Sequence, residues 1–157
     1  MKKISLLSFL ILTVCTLFAV NTFAQTSKDS SKTEKIVIDA KGGIHNNGGT
    51  KLGYITKDDV VKNNKGVTVY FIDRSGNIID AKGTKLGTAK MNGDYYNNEG
   101  NIVLQVEKSD QEKCAILDPV GHNLGYVHKN YKLHACAAHC FFLQKKKDKA
   151  VKEKKAN

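Results

Sequence analysis

Glycine residues recur along this chain at a nearly fixed interval. Gly49, Gly66, Gly83 and Gly100 follow one another every seventeen residues, and Gly121 follows after twenty-one. The surrounding sequence also recurs, as GTKLG at 49–53 and 83–87 and as GHNLG at 121–125. A fixed period of this length indicates a small supersecondary unit copied in tandem, in which each copy buries its apolar face against its neighbours.

Short apolar runs alternate with turn signals along the repeats. The runs are rich in β-branched and aromatic residues and are too short for helices, as at 36–38, 67–72, 102–104 and 115–117. Between runs, Asp or Asn precedes Gly by three positions, at Asp39, Asp73, Asp80, Asn97 and Asp118. Such a side chain bonds the backbone just ahead of it, and the glycine adopts a positive φ. The pattern predicts strands joined by hairpin turns.

Five hairpins of this size need one another to be stable. Arranging them around an axis leaves no long unpaired strand edge. We therefore predict an all-β fold of five pseudo-symmetric β-hairpin units, each of about seventeen residues, around an axis. Gly53, Gly87 and Gly125 fit positions near that axis where backbones approach closely.

The units at 76–87 and 120–127 resemble the five-fold β-flower proteins of Bacteroidota, which are small exported proteins with turn-strand repeats arranged as petals. The resemblance covers residues 36 to 143. It also implies an alanine- and phenylalanine-rich terminal strand, which Ala135 to Leu143 resembles. No molecular activity is established for that family, so the resemblance bears on the fold and not on a function.

The first twenty-four residues have the pattern of a cleaved signal peptide. Lys2 and Lys3 precede an apolar run, and small residues at Thr22 and Ala24 favour cleavage before Gln25. A lipoprotein anchored through Cys15 is the weaker alternative, because the apolar run continues beyond that residue. No later run reaches the ~20 apolar residues of a membrane span. We expect a periplasmic or secreted protein without a transmembrane helix in the mature chain.

The mature chain divides into three segments by composition. We predict a polar lead-in at 25–35, the five-unit domain at 36–144 and a basic tail at 145–157. The tail has seven lysines against two acidic residues, a net charge of +5, which leaves +3 on residues 25–144. Because Arg74 is the one arginine and tryptophan is absent, we expect no nucleic-acid partner. An envelope protein, a glycan or an anionic surface are the candidate partners.

Two histidines and two cysteines fall within seven residues near the C-terminus: His134, Cys136, His139 and Cys140. Thiolate and imidazole are the ligands that zinc and copper prefer, so these four are the candidate metal ligands. On a strand His134, Cys136 and Cys140 share one face, whereas on a helix Cys136 and Cys140 align at i and i+4. Their spacing matches no recognised structural zinc motif. The alternative is that both cysteines are small buried apolar residues.

Three cysteines remain after the predicted cleavage, in an oxidising compartment. An extended strand holds Cys136 and Cys140 too far apart to be bridged. We therefore predict a disulfide between Cys114 and either Cys136 or Cys140.

The motifs of common catalytic sites are missing from the sequence, including nucleophile elbows, metalloprotease helices and phosphate loops. We predict a binding or structural module that is not an enzyme and needs no cofactor. One alternative is a metal-binding periplasmic protein that uses His134, Cys136, His139 and Cys140. A second is an envelope-associated protein held by its basic tail.

Overall fold

The computed structural model describes residues 34–156. The predicted signal peptide, its cleavage point after Ala24 and most of the predicted lead-in lie outside the described residues. The strands are β1 Ile36–Ile38, β2 Gly43–Asn46, β3 Lys51–Ile55, β4 Val60–Asn63, β5 Thr68–Ile72, β6 Asn77–Asp80, β7 Lys85–Ala89, β8 Tyr95–Tyr96, β9 Ile102–Lys108, β10 Lys113–Leu117 and β11 Asn123–His128. A 3₁₀ segment, Lys129–Cys136, and the helix α1, Ala137–Ala156, complete the described chain.

The eleven strands form a closed barrel in chain order. Each strand pairs with the next in antiparallel fashion, and β1 closes the ring by pairing in parallel with β11, from Ile36 opposite Gly125 to Ile38 opposite Val127. The closing pair is parallel because, in an alternating ring with an odd number of strands, the first and last strands run in the same direction. The all-β prediction is thus confirmed at the level of a closed β-barrel, to which one C-terminal helix is added.

Turns alternate between the two ends of the barrel. We call one end the exit end, with turns at 46–49, 63–66, 80–83, 97–100 and 118–121. The other is the entry end, with turns at 39–42, 56–59, 73–76, 90–93 and 109–113. The recurring glycines all lie in exit-end turns, with φ of 78° at Gly49 and Gly66, 83° at Gly83, 81° at Gly100 and 91° at Gly121. The recurring glycines therefore mark every second turn of the barrel, which is one turn for each exit-end hairpin.

Side chains at the start of each turn bond the turn backbone. Asp80 Oδ1, for example, accepts hydrogen bonds from the backbone N–H groups of Lys82 and Thr84, at 2.9 Å each. The same pattern occurs at Asp39, Asn46, Asn63, Asp73 and Asp118. These bonds fix the turn, and with it the register of the two strands that the turn joins.

Buried positions recur at the same interval of seventeen from Ile36 to Leu104, and the last, Gly125, follows after twenty-one. The inward-facing residues of β1, β3, β5, β7, β9 and β11 include Ile36, Gly53, Tyr70, Gly87, Leu104 and Gly125, which are all buried. Large and small residues thus alternate along the odd-numbered strands, as in other small barrels whose interior must be filled without overlap. At Gly125, an added Cβ would lie 1.8 Å from the carbonyl oxygen of Ile36, so the closing pair of strands requires glycine there.

Each exit-end hairpin contains one register shift. The shifts fall at Ile44/His45, Val61/Lys62, Ile78/Ile79, Tyr95/Tyr96 and Ile116/Leu117. A bulge of this kind bends the strand and increases its local twist, which helps short strands to close into a barrel.

The family resemblance implied a terminal strand over Ala135 to Leu143. That prediction is wrong, because these residues belong to the 3₁₀ segment and to α1. Four consecutive residues, Ala135 to Ala138, are 0% exposed. Since successive helical residues point about 100° apart, burial of all four means that the chain is enclosed on every side. The barrel interior is therefore occupied by this helix. Alanine and cysteine are small enough to fit there, and alanine has the highest helix propensity.

Candidate functional site

The C-terminal part of the chain, first the 3₁₀ segment and then α1, passes through the barrel from the entry end to the exit end. At the entry end the Tyr131 ring lies against Gly42, where an added Cβ would be 3.0 Å from it. At the exit end the Phe141 ring is equally close to the Cβ position of Gly53. The 3₁₀ segment thus brings His134 and Cys136 into the interior, and the start of α1 brings His139 and Cys140. The last three turns of α1 extend beyond the exit end.

The two cysteines of the cluster lie next to each other, one helical turn apart. Cys136 is 0% exposed and its Sγ lies 3.4 Å from the hydroxyl of Tyr70. A hydrogen bond with Cys136, together with burial, raises the pKa of the Cys140 thiol. Burial also raises the pKa of the Tyr70 phenol. The Cys140 thiol and the Tyr70 phenol therefore stay protonated at neutral pH, which makes Cys140 a poor nucleophile.

The two histidines point to different partners. His134 is 2% exposed, and its Nε2 lies 3.0 Å from Asp59 Oδ1. His139 stacks at a tilt against Tyr95, with ring centroids 5.5 Å apart. Burial lowers the pKa of both histidines, while the contact with Asp59 opposes that effect at His134. Both rings are consequently neutral near pH 7.

Within residues 34–156 no group of three or more His, Cys, Asp or Glu side chains is arranged to hold a metal ion. The pair Cys136 and Cys140 is brought together, but His134 and His139 are held by Asp59 and Tyr95 instead. The arrangement does not favour the metal-binding alternative, which stays a prediction from the sequence.

Cys114, Cys136 and Cys140 are all free and buried, and the described part of the chain contains no disulfide. The bridge expected from Cys114 to one of the other two is therefore not formed here. Cys140 instead forms a hydrogen bond with Cys136, one helical turn earlier in the chain.

Two grooves flank α1 where it leaves the barrel. The larger, about 450 Å³, we call the Phe142 groove. Its apolar lining is Ile36, Leu52, Phe141 and Phe142, its amides are Asn63, Asn64 and Gln144, and its charged groups are Glu34, Lys65, Lys145 and Asp148. An apolar surface with a few convergent polar groups is typical of a ligand site.

The second groove is adjacent to the first, with which it shares Gln144 and Asp148, and we call it the Leu143 groove. It measures about 290 Å³ and is lined by Leu143, Leu86, Val69 and Cys140 together with charged residues that include Asp80 and Lys147. It has no aromatic lining and is smaller, so it is the weaker candidate for a ligand site.

The exposed end of α1 has lysines beside both grooves. Lys145 donates a hydrogen bond to Glu34 and, with Lys149 nearby, lowers the pKa of that carboxyl. Lys147 acts in the same direction on Asp80, although the backbone hydrogen bond from Thr84 contributes more to lowering that pKa. No helix within residues 34–156 is both long and apolar enough to cross a membrane.

The groove residues are not recognisable as a site from the sequence alone. Phe141 and Phe142 were assigned to a terminal strand, and Asn63 and Asn64 were unremarkable members of a turn. The signal available was the FF pair at 141–142, which precedes the lysine-rich segment by two residues and marks the point where a buried helix reaches solvent.

Comparisons of the chain with protein-family models, with curated proteins and with solved structures found no match. The fold itself defines the class: a closed β-barrel of eleven strands with its own C-terminal helix in the interior.

Proposed function

We propose that the protein is an exported, repeat-built module that binds a ligand at the Phe142 groove, without catalysis and without a cofactor. The observation that carries this proposal is the groove itself, since it combines four apolar residues with three amides at the rim of a closed barrel. The buried helix occupies the barrel interior, so a ligand meets the protein at its ends and on its outer surface.

The proposal includes five-fold repetition of the barrel, as in the β-flower proteins that the sequence resembles. Three observations support it: the turn glycines, the buried positions and the register shifts all recur once per hairpin. A repeated rigid frame suits a binding or structural role, because it holds loops and grooves at one end in fixed positions.

A binding array tests the function. Oligosaccharides and peptides are probed in parallel with the mature protein, with Phe142→Ala and with Leu143→Ala, two neighbouring positions of the same helix that line different grooves. We expect to find ligands that still bind the Leu143→Ala variant but no longer bind the Phe142→Ala variant. Ligands indifferent to both substitutions, or conversion of a bound ligand into product, would contradict the proposal.

Export is tested separately by the intact mass of the protein produced from the full-length gene. We expect a mature chain that begins at Gln25. A lipid-modified Cys15, or a chain that keeps Met1, would show that the N-terminal segment is not a simple signal peptide.

A further inference from the structure

The exposed part of α1 places lysines in a stripe that continues from the Phe142 groove. Lys145, Lys149 and Lys152 lie at i, i+4 and i+7 and are all exposed. Lys145 lines the groove, and Lys149 acts electrostatically on Glu34 at the same side of the helix. The groove and the stripe are therefore neighbouring parts of one surface.

We propose that the Phe142 groove and the stripe Lys145–Lys149–Lys152 together bind an acidic polysaccharide, a polymer whose sugar units have carboxylate or sulfate groups. This inference rests on the proposed binding function of the groove and names the class of its ligand. One sugar unit occupies the groove, and the charged groups of the following units pair with the lysines.

The groove lining has the chemistry that a sugar requires. A sugar hydroxyl both donates and accepts hydrogen bonds, and the amides of Asn63, Asn64 and Gln144 offer both kinds of partner. The rings of Phe141 and Phe142 provide flat apolar surfaces for the carbon–hydrogen face of a sugar ring. The groove therefore offers a sugar ring both an apolar face and several hydrogen-bonding amides.

The stripe accounts for the preference for an acidic polymer. Its lysines are separated by about 6 Å and about 4.5 Å along the helix axis, which is comparable to the length of one pyranose unit. Lys145 already pairs with Glu34 at the edge of the groove, whereas Lys149 and Lys152 are compact, exposed charges that attract carboxylate or sulfate. That attraction is screened by salt.

Two other polyanions fit the surface less well. Nucleic acid is favoured by arginines that bind phosphate with two hydrogen bonds, but the single arginine, Arg74, lies in a turn at the entry end. An anionic bilayer is favoured by an apolar stripe opposite the charges. The exposed helix has only Ala150 and Val151 between its charged residues up to Lys154.

Calorimetric titration with oligogalacturonate, a linear acidic sugar, tests the proposal on the mature protein. The matched variants are the doubles Lys149→Gln/Lys152→Gln, on the stripe, and Lys147→Gln/Lys154→Gln, elsewhere on the helix, since each removes two charges. We expect the first to weaken binding about tenfold and the second less than about threefold. Equal weakening by both would show attraction to net charge alone and would overturn the proposal.

The groove is tested with Phe142→Ala, which we expect to weaken oligogalacturonate binding about tenfold without changing its salt dependence. Leu143→Ala is the control and should leave binding unchanged. If binding depends on the lysines but not on Phe142, the basic helix alone is responsible, and both this inference and the proposed groove function fail. If neutral dextran oligomers bind as tightly and depend only on Phe142, the groove function stands and the acidic class is wrong.

Other polyanions provide the last comparison. Polyphosphate, single-stranded DNA and vesicles of phosphatidylglycerol with phosphatidylcholine are titrated at the same charge concentration. Tighter binding to any of them than to oligogalacturonate would overturn the choice of polysaccharide. Far-ultraviolet circular dichroism and thermal unfolding of each variant confirm that a loss of binding is not a loss of fold.

Discussion

Single glycines decide whether the barrel can close. Gly125 lies in the parallel closing pair, where an added Cβ would overlap the Ile36 carbonyl oxygen. Gly121 lies in an exposed turn where an added Cβ meets nothing within 4 Å, although its φ of 91° still favours glycine. Comparing an alanine substitution at Gly125 with one at Gly121 therefore distinguishes the cost of steric overlap from the cost of backbone strain.

We predict that Gly125→Ala lowers the free energy of unfolding by more than about 3 kcal/mol, because the two strands must separate to admit the methyl group. Gly121→Ala should cost only about 1 kcal/mol, the penalty of a left-handed conformation. Urea unfolding of both variants measures the difference. Equal losses of unfolding free energy in the two variants would mean that the close contact between β1 and β11 at Gly125 does not limit the stability of the barrel.

Asp59 occupies a turn position that three other entry-end turns fill with glycine. Among the described residues it is the one non-glycine residue with positive φ, at 57°. The conformation costs about 1 kcal/mol or more, and the hydrogen bond to buried His134 offsets that cost. His134 Nδ1 is buried and, within residues 34–156, has no hydrogen-bond partner. A proton on that nitrogen would be costly.

Stability should accordingly fall as the pH drops below about 6.5, the pKa of histidine in an unfolded chain. Burial lowers the pKa of His134 and His139 in the folded protein. As the pH falls, the unfolded state therefore binds protons at a higher pH than the folded state does, which favours unfolding. Urea unfolding at several pH values between about 7.5 and 5 measures the slope. His134→Gln should reduce the slope, while His139 retains part of it. An unchanged slope in the variant would contradict this account of His134.

At the scale of elements, α1 combines a buried half and an exposed half. Ala138 is 0% exposed inside the barrel, whereas Ala150 is exposed beyond it. We predict that Ala138→Leu destabilises the protein by roughly 1–3 kcal/mol through overpacking. Ala150→Leu should change stability by less than about 0.5 kcal/mol. Thermal unfolding compares them, and a tolerated leucine at position 138 would show that the interior is not filled.

The buried thiols give a second prediction at this scale. Because Cys114, Cys136 and Cys140 are free and buried, iodoacetamide should not modify them in the native mature protein, but should modify all three after unfolding without a reductant. Mass spectrometry counts the added groups. A single modification after unfolding, with a mass two hydrogens lower, would instead establish the disulfide that the sequence predicted.

Strands and turns were predictable because their signals are local. Asp80 and Gly83 define a turn by chemistry within four residues, and β-branched runs such as Ile78–Ile79 indicate strand. The helix was not predicted, because a helix that is buried on every side lacks an amphipathic period. The sequence of Ala135 to Leu143 is therefore equally compatible with a buried strand. The groove was missed because its members, such as Leu52 and Phe142, are distant in sequence and meet only once the barrel closes.

For the whole molecule, barrel and helix depend on each other. The odd-numbered strands alternate large residues with glycines at one level of the barrel interior, and the small residues Ala135 to Ala138 occupy the interior space. Beyond Gln144 the same helix is exposed and basic, so it contributes charge at the exit end rather than packing. The central claim is that the buried half of the helix belongs to the core of the barrel.

Two truncations test that claim by urea unfolding. A chain that ends at Gln144 keeps the buried helix, and we predict a free energy of unfolding within about 1 kcal/mol of the full mature chain, because exposed ion pairs contribute little. A chain that ends at Leu133 loses the buried helix, and we predict that it does not unfold cooperatively, since the barrel interior would be empty. Cooperative unfolding of the shorter chain with unchanged stability would contradict the account.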